Sequence, residues 1–123
     1  MKRLQSVHIV LSELTGSPSQ NIEIFALVNL GFIQSLASGV LTPTEATSRF
    51  YHAANCRFVK SRYRQKEAQE IMSRGIQLAD LFETLSPEEA QREFGCELET
   101  MRSLCLRILS KGRTRRVLHR AAA

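Results

Sequence analysis

Three times in this chain a hydroxyl residue precedes a proline and is followed, three positions on, by glutamine or glutamate: Ser17-Pro18-Ser19-Gln20, Thr42-Pro43-Thr44-Glu45 and Ser86-Pro87-Glu88-Glu89. The spacing is that of a helix start. The hydroxyl accepts from the third backbone N–H, the Gln or Glu reaches back to the cap, and proline takes the first helical position, where no N–H is needed. Three helices are thereby predicted to their first residue.

Between the caps the apolar residues keep a helical period. Leu4, Val7, Leu11 and Leu14 share one face and predict a first amphipathic helix stopped at Gly16. From Pro18 to Ser38, the residues Ile22, Ile24, Phe25, Leu27, Val28, Leu30, Phe32, Ile33 and Leu36 cover most of the circumference, the pattern of a central helix packed on several sides and ended at Gly39. Gly31 inside it costs about 1 kcal/mol against alanine, and a close helix crossing would account for it. A third helix begins at Pro43 with Ala46, Phe50, Ala53 and Ala54 inward, and a bend is expected within residues 55–61, where the period lapses. Ala68, Ile71, Met72, Gly75, Leu78, Ala79 and Phe82 predict a long amphipathic helix over residues 62–84. The last helical region runs from Pro87 to about Ser110, with Ala90, Phe94, Leu98, Met101, Cys105 and Ile108 inward.

No segment alternates as a strand would. The fold class is therefore all-α: a single-domain bundle of five or six helices around the central helix at about residues 18–38. Residues 1–112 form the domain, and residues 113–123 a basic C-terminal tail. At 123 residues, 43% hydrophobic and 24% charged, the composition is that of one ordinary globular domain.

The same inventory narrows the chemistry. Glu23, Asn29 and Gln34 interrupt the most apolar stretch, and Gln5, His8, Ser12 and Glu13 interrupt the first, so neither a membrane span nor a secretory signal is expected. Cys56, Cys96 and Cys105 cannot all pair, which fits a reducing cytoplasm and a role as small core hydrophobes. Asp80 is the lone aspartate, and His8, His52 and His119 fall on separate elements; His52 with Cys56 is half a zinc site without a second half. No phosphate loop or nucleophile motif is present. Glu89, Glu93 and Glu97 lie on one ridge, read as a solvated helix face. Neither catalytic residue, metal nor cofactor is expected.

The net charge of +5 is less informative than its distribution. Residues 1–56 sum to zero, 57–66 to plus five, 67–99 to minus seven and 100–123 to plus seven. In the first basic block, Arg57, Lys60, Arg62, Arg64 and Lys66 interleave with Phe58 and Tyr63, a composition able to hold phosphates, although a bend studded with solvated cations reads the same way. The second block, Lys111, Arg113, Arg115, Arg116, His119 and Arg120, suits an anionic partner, the macrodipole of its own helix, or this chain's acidic section.

Residues 87–107 resemble the helix-turn-helix mask of DNA-binding proteins. Ala90, Phe94, Cys96, Met101 and Leu104 fall on its apolar positions and Gly95 on its turn glycine. The resemblance implies a recognition helix from about Leu98 that offers Thr100, Arg102, Ser103 and Arg107 to DNA. One long helix satisfies the same positions. Gln91 stands where the mask wants a small residue, Glu97 where it wants a cap, and five glutamates would face phosphate. The segments Leu36-Ala37-Ser38-Gly39-Val40-Leu41-Thr42-Pro43-Thr44-Glu45-Ala46 and Gly75-Ile76-Gln77-Leu78-Ala79-Asp80-Leu81 also resemble small uncharacterised bacterial helical proteins, a likeness that implies no function.

The function itself is not legible in these residues. The leading expectation is a non-enzymatic interaction module whose first partner is another copy of itself; the alternative is a DNA-binding regulator using residues 87–107 and the basic tail.

Overall fold

The computed structural model describes residues 8–122, with side chains as far as residue 112. Among the described residues five α-helices follow one another: α1 (Pro18–Ala37), α2 (Pro43–Arg49), α3 (Ala53–Arg62), α4 (Lys66–Thr84) and α5 (Pro87–Ala122). No strand occurs among them. The bundle is all-α, as the periodicity requires. Both α1 and α4 pack along α5, so α5 is the shared helix and α1 keeps one face in solvent.

Two of the three caps close as complete boxes. Ser17 accepts from Gln20 N at 3.2 Å while Gln20 Oε1 accepts from Ser17 N at 3.0 Å, and Thr42 and Glu45 do the same at 3.1 and 2.9 Å. At the third, Ser86 Oγ accepts from Glu89 N at 3.3 Å, but its hydroxyl donates to Glu89 Oε1, and the carboxylate does not reach the cap N–H. At the other end of α1, Gly39 takes the left-handed φ of 82° that a helix stop favours.

The amphipathic helix expected over residues 4–14 is not what the described part of that segment forms. Residues 8–10 run without helix, and Leu11–Glu13 make a single 3-10 turn; Leu4 and Val7 lie outside the described residues. Tertiary hydrogen bonds outcompete the local helix here. Ile9 N donates to Arg49 O at 3.0 Å, Leu11 N to Asn55 Oδ1 at 2.9 Å, and Asn55 Nδ2 to Ile9 O at 2.8 Å.

The expected bend falls earlier than residues 55–61. The chain breaks at Phe50–His52, where the N–H groups of Phe50 and Tyr51 both donate to Ala46 O, at 2.9 and 3.1 Å. The break turns both Phe50 and Tyr51 into the core. Ala53 and Ala54, read as inward, are consequently exposed. Tyr51 OH donates to buried Asn29 Oδ1 at 2.7 Å, and Asn29 Nδ2 donates to Phe25 O at 2.8 Å. A Cβ at Gly75 would overlap the Tyr51 ring, so this glycine is where α4 admits the break between α2 and α3.

The helix-turn-helix expectation is corrected by the backbone: α5 runs unbroken through Gly95. Gly95 lies on the outer surface with open space around it. Phe94, Leu98, Met101, Cys105 and Ile108 are buried on the other side. Burial of such side chains is worth about 1.5–3 kcal/mol each, far above the roughly 1 kcal/mol that a mid-helix glycine costs. Cys96, an inward position of the mask, is exposed.

Candidate interaction surfaces

The inner face of α1 carries Ile22, Phe25, Ala26, Asn29, Phe32, Ile33 and Leu36, all buried. Its outer face carries Ile24, 39% exposed, and Leu27, 57% exposed. Gly31 continues that face with nothing within 4 Å of the position its Cβ would take, so the helix crossing read from this glycine is not made among the described residues. Beyond the helix end, Val40 is 73% exposed. Residues 24–44 contain no charged side chain. The result is an uncharged apolar stripe along one side of the molecule, which the near-continuous apolar run of α1 foreshadowed without showing which side stays open.

The other surface is basic. Arg57, Lys60, Arg62, Arg64 and Lys66 are all exposed, and none makes an ion pair among the described residues. Val59 and Tyr63 beside them are buried, and Phe58 packs edge-on against Tyr63 at 5.7 Å between ring centres. Arg62 lies over the Phe58 ring at 5.6 Å. The aromatics therefore belong to the core side of this segment.

Part of the second basic segment folds onto the same end. Lys111 Nζ meets Glu67 at 2.6 Å, and Glu67 is held below the usual carboxylate range by that hydrogen bond first, then by the backbone, with Lys111 and Arg107 adding charge. Lys111 is thus engaged with the chain's own acidic section, while Arg107 is exposed near it. Arg102 is exposed and meets Glu99 at 3.5 Å, an open pair of small energetic weight. The side chains of Arg113, Arg115 and Arg116 lie outside the described ones.

The carboxylate ridge does not act as a unit. Glu97 takes Arg74 Nη1 at 2.9 and 3.0 Å, and Arg74 also holds Glu70 at 2.7 Å. This raises the already high guanidinium pKa, through Glu70 and then Glu97. Glu93 is exposed without an ion pair among the described residues, and Glu89 serves the Ser86 cap. The Arg74 triad forms one wall of a shallow groove of about 750 Å³ between α3 and α4, whose other lining includes Cys56, Met72, Lys60 and Lys66.

Burial pushes the Cys56 thiol up, and that of Cys105 up to about 12, so neither is a ready nucleophile. His52 does not join Cys56 as a ligand. Its Nδ1 accepts from Asn55 N at 3.4 Å to cap α3, and its Nε2 lies 3.2 Å from Ile9 O. No group of three or more His, Cys, Asp or Glu able to hold a metal ion occurs among the described residues, and no helix is long and apolar enough to cross a membrane. Asn55, which also donates to Phe50 O at 2.8 Å, carried no signal in the sequence because its importance arises from contacts 44 and 46 residues away.

The family described as a protein of unknown function, DUF3969, matches residues 18–116. The match starts at the first residue of α1 and extends into α5, and the chain belongs to that family. No curated protein and no solved structure matches it.

Proposed function

We propose that this member of the DUF3969 family is a non-enzymatic interaction module that self-associates, the outer face of α1 packing against the same face of a second copy. The observation that carries the reading is the exposed stripe of Ile24, Leu27 and Gly31 within 21 consecutive uncharged residues. In a two-fold interface each surface patch meets its own duplicate, so a charge near the axis faces a like charge. A charge-free stripe suits that geometry, and on a chain of net charge +5 it is the side on which a second copy approaches with least repulsion. Gly31, with no side chain and no neighbour among the described residues, lets two helix backbones come close.

Half-exposed Ile24 and Leu27 contribute on the order of 1 kcal/mol each when covered, or about 4 kcal/mol for two copies. That lies at the lower edge of the cost of association. Val28 and Val40 at the flanks must therefore be covered too, and the dimer is a weak one, in the micromolar-to-millimolar range.

Sedimentation equilibrium across that range tests the reading. The native chain shifts toward twice its monomer mass of 13.9 kDa as concentration rises, whereas Leu27→Glu stays monomeric with an unchanged melting curve. A strict monomer at every concentration, or a dimer that Leu27→Glu leaves intact, removes the proposal.

A further inference from the structure

We infer that the basic end of the bundle is a second, separate binding surface, and that it holds the phosphate backbone of double-stranded nucleic acid without reading its sequence. The fold adds to the basic block of residues 57–66 a cation that the sequence keeps apart. Arg57, Lys60 and Arg62 lie on α3, Arg64 in the link that follows, and Lys66 at the start of α4. Arg107 of α5 joins them, placed there by the Lys111–Glu67 pair. All six are exposed. Glu67, the one carboxylate among residues 57–69, is buried and already matched by Lys111.

Nearer the patch, Glu70 and Glu97 are held by Arg74, and Glu23 lines a hollow with Gln65 and Lys111; a second group of carboxylates lies at the far end of α4 and the start of α5. Asp80, Glu83, Glu88 and Glu93 are exposed there, without ion pairs among the described residues. The 19 residues of α4 put roughly 28 Å between the two ends at 1.5 Å per residue. At physiological ionic strength that is more than three screening lengths of about 8 Å, so the acidic end does not neutralise the basic one.

What the patch lacks selects its partner. Val59 and Tyr63 are buried, Phe58 is packed on Tyr63, and none of the exposed large hydrophobics falls among residues 57–66. A protein partner generally needs a buried aromatic or aliphatic anchor, and a membrane surface needs an apolar face to enter the headgroups. Single strands are gripped by aromatics on which bases stack. A duplex backbone needs none of these, since cations releasing condensed counterions supply essentially all of non-specific affinity.

The test is fluorescence anisotropy of a labelled duplex of random sequence, titrated with the native chain at rising salt. Binding should weaken with a log–log slope of roughly −4 to −5, about −0.9 for each phosphate neutralised. An unlabelled duplex of unrelated sequence should compete equally. The variant Arg57→Glu with Arg64→Glu, both exposed and without side-chain partners, should keep its melting temperature, lose most of the affinity and flatten the slope by about 2. No anisotropy change at low salt overturns the inference, as does unaltered binding by the variant. Tighter binding to an acidic polypeptide, to a single strand or to anionic vesicles than to the duplex overturns it as well.

Discussion

Replacing Gly75 by alanine adds one methyl group at a glycine packed against the Tyr51 ring. On helix propensity alone the change is favourable by about 1 kcal/mol. The structure reverses the sign. Three carbon atoms of the Tyr51 ring would lie within 3.0 Å of the new Cβ, and the ring has nowhere to go. It is fully buried, sits edge-on to Phe50 at 5.1 Å and to Phe32 at 6.1 Å, and is tethered to Asn29 through its hydroxyl. Overpacking of this kind costs about 1–3 kcal/mol, and displacing the ring far enough to break the 2.7 Å hydrogen bond adds about 1–3 kcal/mol for the stranded Asn29 oxygen. After the propensity gain the net loss is about 1–5 kcal/mol, a melting temperature lowered by roughly 4–20 °C for a domain of this size. Gly31→Ala and Gly95→Ala are the controls, because both positions are helical and open; each should gain up to about 1 kcal/mol. Calorimetry or thermal circular dichroism reads all three. A Gly75→Ala protein as stable as Gly95→Ala would refute the packing of Tyr51 against α4.

The two tyrosines separate a satisfied from an unsatisfied hydroxyl. Tyr51→Phe should cost about 1–3 kcal/mol by leaving Asn29 Oδ1 unpaired in the core, whereas Tyr63→Phe, which removes a buried hydroxyl without a partner, should be neutral or stabilising in the same denaturant titration. Glu67 sets a pH dependence. Its folded pKa is lowered by Lys111 and its surroundings, so its contribution is complete above the ordinary glutamate value of about 4.3. That contribution is lost as pH falls through the lower folded value. Glu67→Gln should therefore flatten stability against pH in that acidic window while leaving the neutral-to-alkaline slope unchanged.

Where local chemistry decides, the sequence was legible. The residues Ser17, Thr42 and Ser86 mark their helix starts because a cap is a contact within four residues, and Ala68, Ile71, Met72, Gly75 and Leu78 of α4 follow from period alone, although Phe82 of the same pattern is exposed and Glu67 outside it is buried. What was not legible depends on partners distant in sequence. The Asn55 side chain holds residues 9–11 out of a helix, and Gly75 opens space for a ring 24 positions earlier. Gly95 misled for a related reason: a glycine is a turn signal only if the burial on either side permits a turn, and here both flanks are fastened to α1 and α4. The surfaces divide in the same way. Arg57 to Lys66 could be named from charge, but that Lys111 is occupied by Glu67, and that Ile24 and Leu27 face outward, required the packing.

The claim that α1 pairs with its own copy is tested most directly by isotope-filtered nuclear Overhauser spectroscopy on an equal mixture of labelled and unlabelled chains at high concentration. Intermolecular cross-peaks should link the methyl groups of Ile24 and Leu27 to α1 of the other copy, and should disappear in Leu27→Glu. A mixture in which those methyls show only intramolecular contacts, or in which the intermolecular peaks arise from another face, would contradict the account.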